Sequence, residues 1–139
     1  MPSAAAWTVA LVGATALHAG FQLTVTAVVY PALAAVPSPD WGLAHGAHSR
    51  RIAPLVAVVY GAALVAVGGA VIAEPSTGAL IAGTGTVAAV VVTALSAAPT
   101  HGRLGPGRDD ALVLRLLRAD RLRCLCALIA LAGALLTLI

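Results

Sequence analysis

The histidines at positions 45, 48 and 101 are the residues of this chain whose type and spacing favour chemistry. His45 and His48 lie three residues apart in the polar stretch Asp40–Pro54, and His101 lies in a second polar stretch, Ala98–Asp110. Side chains at this spacing share one face of a helix, so the three imidazoles could hold one metal ion. They could equally serve an organic ligand as a base and as hydrogen-bond donors, or play a structural role near lipid headgroups.

The composition places these histidines in a membrane protein. Hydrophobic residues make up 60% of the chain and charged residues only 9%, whereas a soluble domain has about 25% charged residues. We therefore expect the lipid bilayer as the surrounding partner and a single domain, residues 1–139. The basic residues are all arginine, and they do not by themselves indicate a nucleic-acid partner.

Long apolar runs separated by Pro- and Gly-containing breaks predict the fold class. Crossing a bilayer takes about 20 apolar residues, and backbone groups in lipid must pair within their own segment, which favours helices. The predicted fold is all-α, an integral membrane four-helix bundle with short interfacial helices on the cytoplasmic side. The predicted spans are Ala4–Val36, Leu55–Ala73, Thr77–Ala98 and Leu122–Ile139.

Two polar segments predict the interfacial helices. Ser38 has the residue type of a helix N-cap, and a short helix over about Pro39–Arg51 would place Trp41 as an anchor at the membrane surface. Asp109 and Asp110 suit the first turn of another helix. We expect that second helix to continue into the fourth span.

The distribution of arginine predicts the orientation. The connection after the first span and the connection after the third carry all of the arginines, whereas the short second connection carries Glu74. The positive-inside rule places the arginine-bearing connections in the cytoplasm. We therefore predict a multi-pass protein of the bacterial plasma membrane, with both termini extracytoplasmic and the three histidines at the cytoplasmic face.

Polar residues inside the spans form stripes that lead toward the same face. At about 100° per residue, the polar side chains of the first span share an arc of about 120°, and those of the third span an arc of about 80°. Because such residues are costly in lipid, we expect them to face the interior, where they could bind a ligand or simply tie helices together. The candidate ligand-binding residues are His18, Gln22, Thr26, Tyr60, Thr93 and Ser96, and the stripes also include Thr15, Tyr30, Thr86 and Thr100.

The stretch "VVYPALAAVPSPDWGLAHGAHSRRIAPLV" resembles a pattern of small, uncharacterised bacterial four-span membrane proteins, and "APTHGRLGPGRDDALVLRLLRADRLRC" resembles its second half. The matching positions are Tyr30, Pro31, His45, His48, Pro99, His101, Leu104 and Arg123. Asp120 and Arg121 stand where that pattern has Asn and Trp, and Cys124 stands in place of Thr. The layout is distantly similar to that of anthrone-oxygenase-like membrane proteins. The resemblance implies a site formed by the three histidines with Tyr30 and Arg123.

The first functional hypothesis is an enzyme acting on a lipid-soluble, polyketide- or quinone-like substrate. The catalytic residues would be His45, His48 and His101 as bases, with Tyr30 and Arg123 stabilising an oxyanion. We expect the three imidazoles to lie within roughly 10 Å of one another at the bundle end.

Two alternatives remain from the sequence. The first is a redox membrane protein with a single metal ion on His45, His48 and His101; a haem on His18 is disfavoured because the other predicted spans contain no second histidine. The second is a non-catalytic partner subunit or a small transporter, although the broken helices and internal repeats typical of transporters are not recognised in the sequence. The cofactor is either absent or a single metal ion, and the oligomeric state is left open.

Overall fold

The computed structural model describes residues 2–139, and all regular secondary structure in that part of the chain is helical. The predicted all-α class is therefore confirmed. The helices are α1 (Ala4–Thr24), a π-helical turn (Val25–Val29), α2 (Tyr30–Ala34), a 3-10 turn (Ser38–Asp40), α3 (Trp41–Ala73), α4 (Thr77–Val92), a second π-helical turn (Thr93–Ala97), α5 (Ala98–Leu104) and α6 (Asp110–Leu136).

The long helices form a bundle in which each contacts its neighbours. Helix α1 packs against α3 and α6, and α4 packs against the same pair of helices. Short polar side chains begin these helices: Ser3, Ser76 and Asp109 accept hydrogen bonds from backbone amides three residues later. Such caps satisfy amides that lack an intrahelical partner. The predicted helix start at Asp109 is confirmed.

Within the described residues, three helical segments are long and apolar enough to cross a membrane: Ala4–Ala34, Ser38–Ala73 and Thr77–Leu104. The fourth predicted span lies in α6, as a continuation of the helix that begins at Asp110. Asp120, Arg121 and Arg123 interrupt the apolar character of α6. The uninterrupted part, Cys124–Leu136, is shorter than the about 20 residues that a span needs.

The structure corrects the prediction of a separate interfacial helix over Pro39–Arg51. Helix α3 runs without a break from Trp41 to Ala73 and contains Pro54. A proline inside a helix removes one backbone hydrogen bond, and here the helix nevertheless continues. The predicted cap at Ser38 is also wrong, since neither the 3-10 turn nor α3 has a side-chain cap in this described segment.

Trp41 is a second correction, because it lies in the core instead of anchoring the chain at a membrane surface. Its side chain is 1% exposed, and its indole N–H donates to the backbone carbonyl of Leu104 at 3.0 Å. The guanidinium of Arg108 lies 5.5 Å from the indole centroid. A buried indole needs a hydrogen-bond partner, and the end of α5 supplies one.

A proline accompanies each π-helical turn. Pro31 is the second residue of α2 and Pro99 is the second residue of α5, so each follows its π-turn by two residues. Proline lacks an N–H and its ring crowds the carbonyl four residues earlier; the wider π-turn relieves both problems.

The two halves of the chain therefore repeat one order of elements. In each half, a long helix is followed by a π-turn, a short proline-containing helix and then a second long helix. The packing follows the same correspondence. Helix α1 contacts α3 in the first half as α4 contacts α6 in the second, and the contact of α1 with α6 corresponds to that of α4 with α3. The sequence interpretation recognised no internal repeat, and the structure adds this repeated order of elements. The helical segments Ala4–Ala34 and Thr77–Leu104 continue through their π-turns, so they are not broken.

Glycines allow the backbones of α4 and α6 to approach closely. A Cβ atom added to Gly85 would lie 2.7 Å from the backbone nitrogen of Ala130, and one added to Gly133 would lie 2.5 Å from that of Ala82. Real Cβ atoms do not come so near to backbone atoms. Small residues at such crossings are typical of helices packed in lipid.

We predict that Gly85→Ala and Gly133→Ala destabilise the protein by about 1–3 kcal/mol, the range for overpacking a filled interface. Gly13→Ala is the matched control, because no heavy atom of the described chain lies within 4 Å of its added methyl group. That variant should be neutral or up to about 1 kcal/mol more stable through helix propensity. Thermal unfolding in detergent, followed by circular dichroism, measures all three, and equal midpoints would contradict the close approach.

Candidate functional site

Side chains from opposite halves of the chain meet at the end of the bundle where the short helices lie. Tyr30 begins α2 immediately after the first π-turn, and His101 lies in α5 shortly after the second. The Tyr30 hydroxyl is hydrogen-bonded to Nε2 of His101 at 2.9 Å. The other ring nitrogen of His101, Nδ1, is hydrogen-bonded to Nε2 of His45 at 3.0 Å. The corresponding π-turns of the two halves thus place Tyr30 and His101 side by side.

Aromatic stacking holds the histidines in place. The rings of Trp41 and His45 are stacked with centroids 5.2 Å apart, and His45 is stacked on His101 at the same separation. His48 stacks on His101 with centroids 5.6 Å apart. The prediction that the three imidazoles converge is confirmed, while their catalytic role stays a prediction.

A buried ion pair lies behind this cluster. Nη2 of Arg123 donates to a carboxylate oxygen of Asp120 at 3.0 Å and to the Tyr30 hydroxyl at 3.2 Å. The same carboxylate oxygen accepts from the Gln22 amide at 2.7 Å. Asp120 is 1% exposed and Arg123 is 4% exposed, so both charges depend on these partners. Buried charges require such pairing and hydrogen bonding.

Asp120 was absent from the sequence-based candidates, although its spacing offered a signal. Asp120 and Arg123 are three residues apart, so their side chains share one face of a helix. An acidic and a basic side chain on the same face beside an apolar run indicate an ion pair. The sequence interpretation treated Asp120 only as a departure from a family pattern. Its contact with Gln22 joins residues 98 positions apart, and no local pattern predicts that contact.

Several of these polar groups line a cavity of about 320 Å³. Most of the lining is apolar and comes from Phe21, Val25, Ile52 and Val56, together with alanines. Its polar lining residues are Gln22, Tyr30, Ser49, Thr93, His101 and Arg123. A largely apolar cavity with a few convergent polar groups is the usual form of a small-molecule site.

The cavity opens sideways between α3 and α5. Ala53 and Ala57 on α3 and Ala98 on α5 line the cavity and are also exposed at the protein surface. Because these side chains are small, they leave a gap that larger residues would close.

Of the remaining candidates, His18 and Tyr60 lie deeper in the bundle. His18 is fully buried, and its ring meets the edge of Tyr60 with centroids 4.5 Å apart. Neither ring nitrogen of His18 has a hydrogen-bond partner among the described residues. The hydroxyls of Tyr60 and Thr93 are 3.2 Å apart. Thr26 is half-buried. The predicted inward orientation of His18 is confirmed.

Ser96 is the candidate that the structure places elsewhere. It lines an outer recess together with Leu95, Arg115 and Arg118, apart from the cavity. The arc predicted for the third span assumed about 100° per residue. The π-turn at Thr93–Ala97 has a wider hydrogen-bonding pattern, which rotates Ser96 away from the face that Thr93 shares with the cavity.

A metal site does not fit this arrangement. Within residues 2–139, no group of three or more His, Cys, Asp or Glu side chains is placed to hold a metal ion. The contact between Nε2 of His45 and Nδ1 of His101 is a hydrogen bond, which needs a proton where a shared metal ion would need both lone pairs. No family model, curated protein or solved structure matches this chain, so the interpretation of the site rests on its own geometry.

We predict that Asp120→Leu destabilises the protein by about 3–5 kcal/mol, because it leaves the Arg123 guanidinium buried without its carboxylate. The double variant Asp120→Leu/Arg123→Met removes both charges and should recover most of that loss. Thermal unfolding in detergent measures both variants.

The exposed ion pair between Arg108 and Asp110 provides the matched control. Asp110→Ala should cost less than about 1 kcal/mol, since surface ion pairs contribute little. A double variant no more stable than Asp120→Leu alone would contradict the role given to the buried pair.

Proposed function

We propose that this chain is an integral membrane protein of the bacterial plasma membrane, a single four-helix domain in which α6 also crosses the bilayer. The support comes from the direction of the side chains of α6. Asp120 and Arg123 are buried and paired with each other. Arg121, which lies between them, is exposed, and we place it at the membrane surface. Beyond Arg123 the outer face of α6 is apolar, with Leu125 and Ile129 exposed. A helix whose buried charges are paired and whose outer face is apolar beyond its last exposed arginine suits lipid.

The proposed orientation places the cluster of histidines at the cytoplasmic end. The connections that carry the arginines lie at this end, where the short helices α2 and α5 would sit at the interface, and arginines prefer the cytoplasmic side. The connection containing Glu74 lies at the other end of α3. With four spans, both termini are extracytoplasmic.

We infer that the cavity binds a lipid-soluble small molecule that carries a carbonyl or hydroxyl group, and that the protein is an enzyme for such a molecule. One observation carries this proposal: Tyr30, His101 and Arg123 meet in the lining of a largely apolar cavity. The side opening between α3 and α5 suits a ligand that arrives from the bilayer. A polyketide- or quinone-like ring system agrees with both the apolar lining and the polar groups within it.

A small transporter is the second candidate, and one observation favours it. The helices interrupted by π-turns occupy corresponding positions in the two halves of the chain, and such interrupted pairs often form transport sites. The two proposals differ in outcome: an enzyme changes its ligand in detergent solution, whereas a transporter moves an unchanged ligand across a sealed vesicle.

We predict saturable binding of tritiated menadione, a lipid-soluble naphthoquinone, to the protein in lipid nanodiscs. Ala57→Phe should weaken this binding at least tenfold, or about 1.4 kcal/mol, because the larger side chain closes the opening. Val58→Phe is the matched control, since Val58 is 68% exposed on the same helix and does not line the cavity. Ser96→Ala should leave binding unchanged. If nanodiscs that contain the protein bind no more menadione than empty nanodiscs do, the proposal is contradicted.

We also predict that alkaline phosphatase fused after Ile139 is active in intact bacteria, because four spans place the C-terminus outside the cytoplasm. Green fluorescent protein at the same position should be dark, and the same protein inserted after Gly107 should fluoresce. Fluorescence from the C-terminal fusion would mean that α6 does not cross the bilayer.

A further inference from the structure

We propose that Tyr30, His101 and His45 form a proton relay, with Tyr30 as the acid–base group that acts on the bound molecule. The substrate class is a lipid-soluble ketone with an exchangeable proton on the carbon next to its carbonyl group, and the reaction is enolisation or isomerisation. This inference rests on the proposed function, because it concerns the same cavity. The observation behind it is an unbroken series of hydrogen bonds from Gln22 to His45.

We assign the direction of these hydrogen bonds by starting from the ion pair. A guanidinium has only donors and a carboxylate has only acceptors. The two hydrogens of Arg123 Nη2 therefore point to Asp120 and to the Tyr30 oxygen. Because the Tyr30 oxygen already accepts from Arg123, its own hydrogen is free to be donated to Nε2 of His101, 2.9 Å away.

The same reasoning assigns the tautomers of the histidines. A neutral imidazole that accepts at one nitrogen carries its hydrogen on the other. His101 accepts at Nε2, so it carries its hydrogen on Nδ1 and donates it to Nε2 of His45, 3.0 Å away. Every bond from Arg123 through Tyr30 and His101 to His45 then points in one direction.

Tyr30 is the member of the relay that can reach a ligand as an acid or base. Tyr30, His101 and Arg123 line the cavity, whereas His45 does not. Both ring nitrogens of His101 are already engaged in hydrogen bonds, one with Tyr30 and one with His45. The Tyr30 oxygen keeps a second lone pair for a substrate proton. Arg123, held in place by Asp120, faces the position where a substrate oxygen would become negatively charged. Fixed donors at such a position stabilise an oxyanion.

The proton transfer balances without an oxidant. A C–H bond next to the substrate carbonyl breaks, and its proton goes to the Tyr30 oxygen while its electron pair forms the enolate. The original Tyr30 proton passes to Nε2 of His101, and the Nδ1 proton of His101 passes to Nε2 of His45. His45 then holds the positive charge and Arg123 faces the enolate oxygen. Reversal of these steps returns a proton to the same carbon or to another.

The first test is the tautomeric state of the histidines, measured by NMR on protein labelled with ¹⁵N and ¹³C in histidine. We expect His101 and His45 to carry hydrogen on Nδ1 and to have unprotonated Nε2 atoms at neutral pH. In Tyr30→Phe, the Nε2 signal of His101 should shift because it loses its donor. Hydrogen on Nε2 of His101 in the unmodified protein would overturn the relay.

The second test is exchange of the carbon-bound protons of 1-tetralone, a two-ring ketone, in D₂O. Protein in nanodiscs should accelerate the exchange about 10²-fold or more relative to empty nanodiscs, the lower range for general acid–base catalysis. The exchange catalysed by Tyr30→Phe should be at least about tenfold slower than that catalysed by the unmodified protein. His45→Gln should slow the exchange by a smaller factor. Ser96→Ala, outside the cavity, should exchange like the unmodified protein.

Binding measurements separate failure of the relay from failure of the proposed function. Displacement of menadione by 1-tetralone reports occupancy of the cavity, and Tyr30→Phe should retain it with unchanged helicity. Its unfolding midpoint should fall, because Arg123 loses one acceptor. If 1-tetralone binds but the unmodified protein exchanges it no faster than Tyr30→Phe does, the relay is overturned and the cavity proposal stands. If neither compound binds, the cavity proposal fails, and the tautomer measurement still decides the direction of the hydrogen bonds.

Discussion

The buried ion pair between Asp120 and Arg123 is the constraint on which the site depends. Two charges in an apolar interior need each other and need hydrogen bonds for their remaining donors and lone pairs. Gln22 supplies one of these bonds and Tyr30 supplies another, and both come from the first helical segment. The ion pair therefore determines how α6 lies beside α1 and α2, and it orients the hydroxyl of Tyr30.

The prolines provide the other half of the geometry. Pro31 and Pro99 each follow a π-turn, and each π-turn changes which side chains face the interior. Tyr30 and His101 consequently meet from corresponding places in the two halves of the chain. Two helices of regular geometry would direct these residues differently, as the outward position of Ser96 shows.

Polar groups are buried in this bundle, while leucine and valine side chains are exposed. Thr15, His18 and Gln22 are buried on α1, and Val9, Leu17 and Leu23 are exposed. Burial of polar side chains and exposure of apolar ones are both costly in water and favourable in lipid, which agrees with the proposed membrane location. The cavity is likewise lined mostly by apolar residues with a few polar ones, which is what the proposed enolisation of a lipid-soluble molecule requires.

The sequence by itself determined the helical class and three apolar helices, because the low charge and the length of the apolar runs leave no other way to satisfy the backbone in lipid. It also indicated that His18 and Gln22 face inward and that the histidines converge, since polar residues in apolar helices must share the interior. The fourth span, the orientation and the roles of the site residues stay predictions.

Only the tertiary structure decided the hydrogen bonding. The contacts of Gln22 with Asp120, of Tyr30 with His101 and of Trp41 with Leu104 join residues 98, 71 and 63 positions apart. The displacement of Ser96 depends on a π-turn that helical periodicity does not describe. The spacing of polar residues along a helix indicates which side of that helix is polar. Which residues become hydrogen-bond partners depends on how segments that are distant in the chain pack together.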